Sequence, residues 1–101
     1  MTRFKLKLYV TGKTVRTACA VANLRRICEG ELEGRVDWVV IDVLEQPQLA
    51  EEEKVMATPT LIKEAPLPFQ RVIGDLSDRK GVLGGLNLLP KAQLEKGEGV
   101  Q

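Results

Sequence analysis

The apolar and polar positions of this chain change period several times, and each change marks an element. Phe4, Leu6, Leu8 and Val10 alternate with Arg3, Lys5, Lys7 and Tyr9, the period of a strand with one core face. The stretch "TGKT" (11–14) reads as a turn and offers Thr14 as a helix N-cap. From Val15 to Glu29 the spacing is helical, with Thr17, Ala20, Val21, Leu24, Ile27 and Cys28 on one stripe. Gly30 and Gly34 bracket the exit, and "RVDWVVIDV" (35–43) follows. Its β-branched residues fall on both faces, which predicts a central strand covered on two sides.

"LEQPQLAEEEKVM" (44–56) holds a short helix with Pro47 in its first turn. "TPTLIKEA" (58–65) and "FQRVI" (69–73) read as short strands joined through "PLP". Ser77 is placed to cap a last helix from Asp78 to Leu89, stopped by Pro90, and the polar tail 91–101 is expected to fray. The order βαβαββα predicts an α/β, thioredoxin-like fold in a single domain spanning 1–101. That fold commonly places a cis-proline at the start of its third strand, where this chain has Pro59. Spacing leaves open both a cis peptide and an ordinary trans proline at a strand's first position.

Composition narrows the function. At 101 residues and 44% hydrophobic, the chain can bury one small core. Its apolar runs fall far short of the ~20 residues of a membrane span. The N-terminus lacks the continuous apolar stretch of a signal peptide, so a soluble, cytoplasmic protein without a membrane role is expected. A net charge of +1 and aromatics at only 4% give no sign of nucleic-acid binding. The absence of histidine removes the commonest general base and metal ligand.

The two cysteines are poor candidates for chemistry. Thioredoxin-type redox enzymes use C-x-x-C just after the first strand, and here that position reads "TGKTVRT". Cys19 and Cys28 would stand about 13.5 Å apart along one helix, beyond the ~7 Å Cα limit of a disulfide. Cys28 reads as core and Cys19 as an outward small side chain. No catalytic, cofactor or metal site is visible, and a thiol redox enzyme is the reading from a different class that remains to be tested. Two surfaces stand out instead. Ala18, Cys19 and Ala22 form a small-residue strip on the first helix, between Arg16 and Arg26. "QPQLAEEEK" (46–54) sets Glu51, Glu52 and Glu53 beside Lys54, a charge run able to steer a basic partner.

"KLYVTG" (7–12), "VIDVLEQPQLAEEEKVMATPTL" (40–61) and "RVIGDLSDR" (71–79) resemble the KaiB family of the bacterial KaiABC circadian clock, from about Phe4 to Leu89. The resemblance implies a metamorphic protein without enzymatic activity. Its C-terminal half would switch between a ground-state fold, a tetramer or dimer, and a thioredoxin-like fold that binds the ATPase ring of KaiC. KaiA or an output histidine kinase is a further implied partner, and no cofactor is. By match to the family's interface region, Gln48, Glu52 and Lys54 are the first contact residues expected, with Ala18 and Ala22 as secondary choices. A relative acting in stress signalling outside a clock is the alternative.

This resemblance bears on "GVLGGLNLLP" (81–90), which places Gly81, Gly84 and Gly85 inside a helix at about 1 kcal/mol each against alanine. As a helix, Val82, Leu83, Leu86 and Leu89 make one apolar face; as a strand, Val82, Leu86 and Leu88 share a side. The glycines are therefore expected to bring two packings within reach of each other. Gly84, Gly85 and Asn87, with Pro59, Pro66 and Pro68, are the expected fold-switch positions. The family typically has an aspartate where Asn87 stands and a larger aliphatic at Gly84. Substitution at its glycine and aspartate positions, here Gly85 and Asn87, biases family members toward the thioredoxin-like state. Cys19 replaces an arginine often found on the first helix, and "APLPF" (65–69) shortens a proline run.

Overall fold

The computed structural model describes residues 3–32 and 34–86. Four strands form one sheet in the order β2-β1-β3-β4, with β1 (Phe4–Val10) parallel to β2 (Val36–Asp42) and antiparallel to β3 (Thr60–Ala65). The last strand, β4 (Gln70–Ile73), returns antiparallel to β3. Helix α1 (Val15–Gly30) makes the crossover between the parallel strands, α2 (Pro47–Glu52) precedes β3, and α3 (Arg79–Gly85) follows β4.

Each element has a local cause. The Thr14 hydroxyl accepts the Thr17 N–H at 3.1 Å and caps α1, as its position in "TGKT" predicts. Ala20, Leu24, Ile27 and Cys28 are the buried residues of α1, with Val21 packed against the same cluster. They meet Leu6, Leu8 and Val10 of β1, the face predicted from the alternation. Val82, Leu83 and Leu86 bring α3 into this cluster through Leu61 and Val72. A smaller core lies on the opposite face of the sheet, where Leu49, Ala50 and Val55 pack on Tyr9, Ile41 and Ile62. The architecture is thus three layers, α1 and α3 on one side and α2 on the other.

Two expectations are corrected. The segment 35–43 is an edge strand, not a central one, and its Val39 and Val40 are 48% and 38% exposed. β2 has a neighbour on one side only, and Val39 is not part of the cluster on which α2 packs. The central role falls to β1, whose Tyr9 is fully buried on the second face. The N-cap of α3 is Asp78, not Ser77: Asp78 Oδ1 accepts the Gly81 N–H at 3.1 Å, while the Ser77 N–H donates to Asp75 Oδ1 at 3.0 Å. The predicted end of that helix at Leu89 and Pro90, Asn87 within it, and the tail 91–101 lie outside the described residues. The bonds preceding Pro59, Pro66 and Pro68 are cis.

Candidate functional site

A six-residue helix is too short to hold itself together in water, so α2 must be fixed from outside. Its inner face does part of this through Leu49 and Ala50, and Val55 completes the contact just after the helix. The remainder comes from β4. Arg71 donates from Nη2 to the Glu53 carbonyl at 2.8 Å and from Nη1 to the Lys54 carbonyl at 3.2 Å. These carbonyls stand at the helix exit, where backbone acceptors lack helical partners. A guanidinium fork serves two of them at once while placing a cation at the negative end of the helix.

With the inner face and exit fixed, the polar side of α2 points to solvent. Gln48, Glu51 and Glu52 are exposed. Gln48 and Glu52 are neighbours on one helical stripe. Lys54 follows in the left-handed region, at φ 54, where the chain turns off the helix, and it too is exposed. Three of the five expected contact residues therefore share one small surface. Ala18 and Ala22 do not join it. They are exposed on α1, which covers the other face of the sheet.

Beside α2, at the ends of β1 and β2, lies a groove of about 330 Å³ lined by residues that include Thr11, Val43, Pro47, Met56 and Thr58. The hydroxyls of Thr11 and Thr58 meet at 2.6 Å. Asp42 ties the loops behind it, accepting from the Gly12 N–H at 3.1 Å and the Leu44 N–H at 2.9 Å. Thioredoxin-type enzymes keep their cysteines at this end of the fold, and this chain has Thr11, Gly12, Lys13 and Thr14 there. Both cysteines are free thiols, Cys19 exposed and Cys28 buried. Burial, with help from Glu29, pushes the Cys28 thiol up to about 11, which suppresses its thiolate. Among the described residues no group of three His, Cys, Asp or Glu is placed to hold a metal ion, and no helix is long and apolar enough to cross a membrane. The arrangement leaves the polar side of α2 exposed beside this groove.

The profile described as "KaiB domain" matches residues 7–88. The chain belongs to the KaiB family. Circadian clock protein KaiB3 of Synechocystis sp. is 54% identical over 91 residues, covering 90% of this chain and 89% of the relative. The circadian clock oscillator protein KaiB of Synechococcus elongatus is 57% identical over 84 residues, 83% of this chain and 82% of that one. Among solved structures, the N-terminal domain of SasA from Synechococcus elongatus superposes with a TM-score of 0.69 at 27% identity, covering 86% of each chain. Mitochondrial thioredoxin 3 of Saccharomyces cerevisiae gives the same TM-score of 0.69 at 19% identity, over 88% of this chain and 81% of that one, a likeness of fold alone. The fold is thioredoxin-like, as the order of elements predicts.

For a KaiB-family chain the glycines of α3 acquire distinct meanings. A Cβ at Gly81 would run into the Asp78 carboxylate that caps the helix. One at Gly85 would stand 2.9 Å from Cγ2 of Val72, because α3 packs closely on β4 there. At Gly84 a Cβ would meet none of the described residues within 4 Å. The sequence reading treats all three as simple weakening; in the structure only Gly84 is a weakness without a local benefit. Arg71, which holds the exit of α2, is the residue that sequence reasoning missed. Its polar side chain in a short edge strand carries no signal of carbonyl partners so far away in the chain.

Proposed function

We propose that this KaiB-family chain is a non-enzymatic adaptor that binds the ring of a KaiC-type ATPase through α2 and changes KaiC phosphorylation and output by switching folds. The observation that carries this reading is the α2 surface: Gln48 and Glu52 on the helix and Lys54 just after it, all exposed, with the helix exit held by Arg71. Such pre-ordering lowers the entropic cost of docking. The names of the relatives, circadian clock proteins throughout, support the setting. The likeness to the SasA domain supports the thioredoxin-like arrangement as the competent one. A ground-state tetramer or dimer would compete with it, and the competent fraction would scale the apparent affinity. Ala18 and Ala22 lie on the other side of the sheet from this surface, and KaiA or an output histidine kinase is the further partner of this reading. The cytoplasm is the compartment this reading requires.

Size-exclusion chromatography with native mass spectrometry tests it, using a KaiC-type ATPase and ATP over a day of incubation. A stable complex is expected, weakened in Glu52→Ala and in Lys54→Gly. The glycine variant suits Lys54 because it keeps the left-handed turn while removing the side chain. Absence of a complex with active KaiC, or wild-type binding by both variants, overturns the reading.

A further inference from the structure

Strand β4 is gripped from both faces of the sheet. It is an edge strand of four residues, paired among the described residues with β3 alone. Its register sets Arg71 opposite Ile62 and Val72 opposite Leu61. Ile62 belongs to the cluster on which α2 packs, and Leu61 to the one that α1 and α3 share. Side chains alternate along a strand, so Val72 faces α3 while Arg71 faces α2. Both contacts are close. Val72 packs against the α3 cluster, and a Cβ at Gly85 would stand 2.9 Å from its Cγ2. On the other face, Arg71 reaches the Glu53 carbonyl at 2.8 Å and the Lys54 carbonyl at 3.2 Å.

The backbone at the exit of α2 closes on the helix itself. The Glu53, Lys54 and Val55 N–H groups donate to the carbonyls of Leu49, Glu51 and Ala50 at 3.1, 3.1 and 2.9 Å. Val55 adds an apolar contact with the second core, and the Arg71 fork adds a directional one to β4. Hydrogen bonds fade once the heavy atoms separate much beyond 3.2 Å. The fork therefore holds only while β4 keeps its place. A short edge strand keeps its place through what covers its faces, since its own ladder is small. Lifting α3 uncovers Val72 and leaves β4 on a ladder of four pairs.

We propose that Arg71 is a positioning residue that couples the α2 surface to α3: the exit of α2 loosens whenever α3 lifts from β4, so the two helices open together across the sheet. The link runs from Gly85 to Val72 on one face and from Arg71 to the Glu53 and Lys54 carbonyls on the other. Coupling of this kind is reciprocal, so fixing the exit of α2 holds α3 down by the same factor. Arg71 is exposed, and replacing it removes the fork without opening a cavity in either core. If α2 meets the partner proposed above, the same link passes the docking of α3 on to that contact. The coupling itself is a property of the free chain and stands or falls without the partner.

Amide hydrogen exchange followed by NMR in the free, whole chain is the test. Lys54 and Val55 report the exit of α2, and Val82 and Leu86 report α3, each through a backbone bond of its own. Gly84→Ala is expected to slow exchange at Val82 and Leu86 about fivefold, the factor of one glycine replaced in a helix. Lys54 and Val55 are expected to slow with them. In Arg71→Met the exit amides should exchange severalfold faster than in wild type. Adding Gly84→Ala to that variant should still slow α3 and no longer move the exit of α2. Arg71→Lys is expected to behave like Arg71→Met, since one ammonium cannot serve both carbonyls in the fork's geometry. Exit amides that ignore Gly84→Ala while α3 slows overturn the proposal, as does a response of those amides that survives in Arg71→Met. Should the Arg71 variants fail to fold, the comparison of wild type with Gly84→Ala decides alone.

Discussion

Replacing Gly84 and Gly85 by alanine, one at a time, separates helix propensity from packing in α3. Each change gains about 1 kcal/mol of intrinsic helix preference. Gly84 has none of the described residues within 4 Å of a new Cβ, so the gain is kept whole. At Gly85 the new Cβ stands 2.9 Å from Cγ2 of Val72. Ordinary carbon contacts lie near 3.5–4.0 Å. Valine is stiff at χ1, so it cannot swing aside cheaply. Overpacking of this kind costs about 1–3 kcal/mol, enough to cancel or reverse the propensity gain. Gly84→Ala is therefore expected to stabilise docked α3 by about 1 kcal/mol, and Gly85→Ala to fall short of it by at least about 1 kcal/mol. Urea titration read through secondary chemical shifts of residues 79–86 measures both. Repeating the pair in a Val72→Ala background should close the gap, because the clashing methyl is gone. A Gly85→Ala variant as stabilised as Gly84→Ala, with Val72 intact, refutes the packing argument.

The other features of the fold lead to further expectations. Arg71→Met should cost about 1–2 kcal/mol in denaturant stability and speed amide exchange at Val55, and Arg71→Lys should not rescue it, since one ammonium cannot replace the fork. A thiol reagent should modify one cysteine quickly in the folded protein, Cys19, and reach Cys28 only on unfolding; two fast thiols would contradict the burial of Cys28. The Asp37 carboxylate, hydrogen-bonded by Arg3 at 2.8 Å, is held below its usual 3.8. Its contribution is present above that value and lost as pH falls through the folded pKa, so Asp37→Asn should flatten the acid limb of the stability profile.

Much of this fold is readable in the chain because its main elements are locally consistent. α1 carries a cap, a clean apolar stripe and a glycine exit, and β1 alternates with a period of two. The order of elements then admits few topologies. What escaped depends on neighbours in space. A strand with β-branched residues on both faces reads as central, yet sheet order left β2 at an edge and α2 left Val39 open. Ser77 and Asp78 are both capping residues, and only the loop's hydrogen bonds decide between them. The burial of Lys63 on β3, 1% exposed, did leave a trace: in "TLIKEA" it stands in phase with Leu61. The α2 surface was legible through the family resemblance, but its support by Arg71 was not, because the fork reaches backbone carbonyls that have no residue-type signature.

In the proposed function, the arrangement with α3 docked on β4 is the one that captures the partner. Capture of a KaiC-type ATPase by wild type and by Gly84→Ala, followed side by side over time, tests it most directly. Stabilising α3 by about 1 kcal/mol raises a small competent fraction about fivefold, so Gly84→Ala should bind correspondingly faster or more tightly. Capture that is unchanged or slower, in a variant whose α3 is measurably better docked, would contradict it.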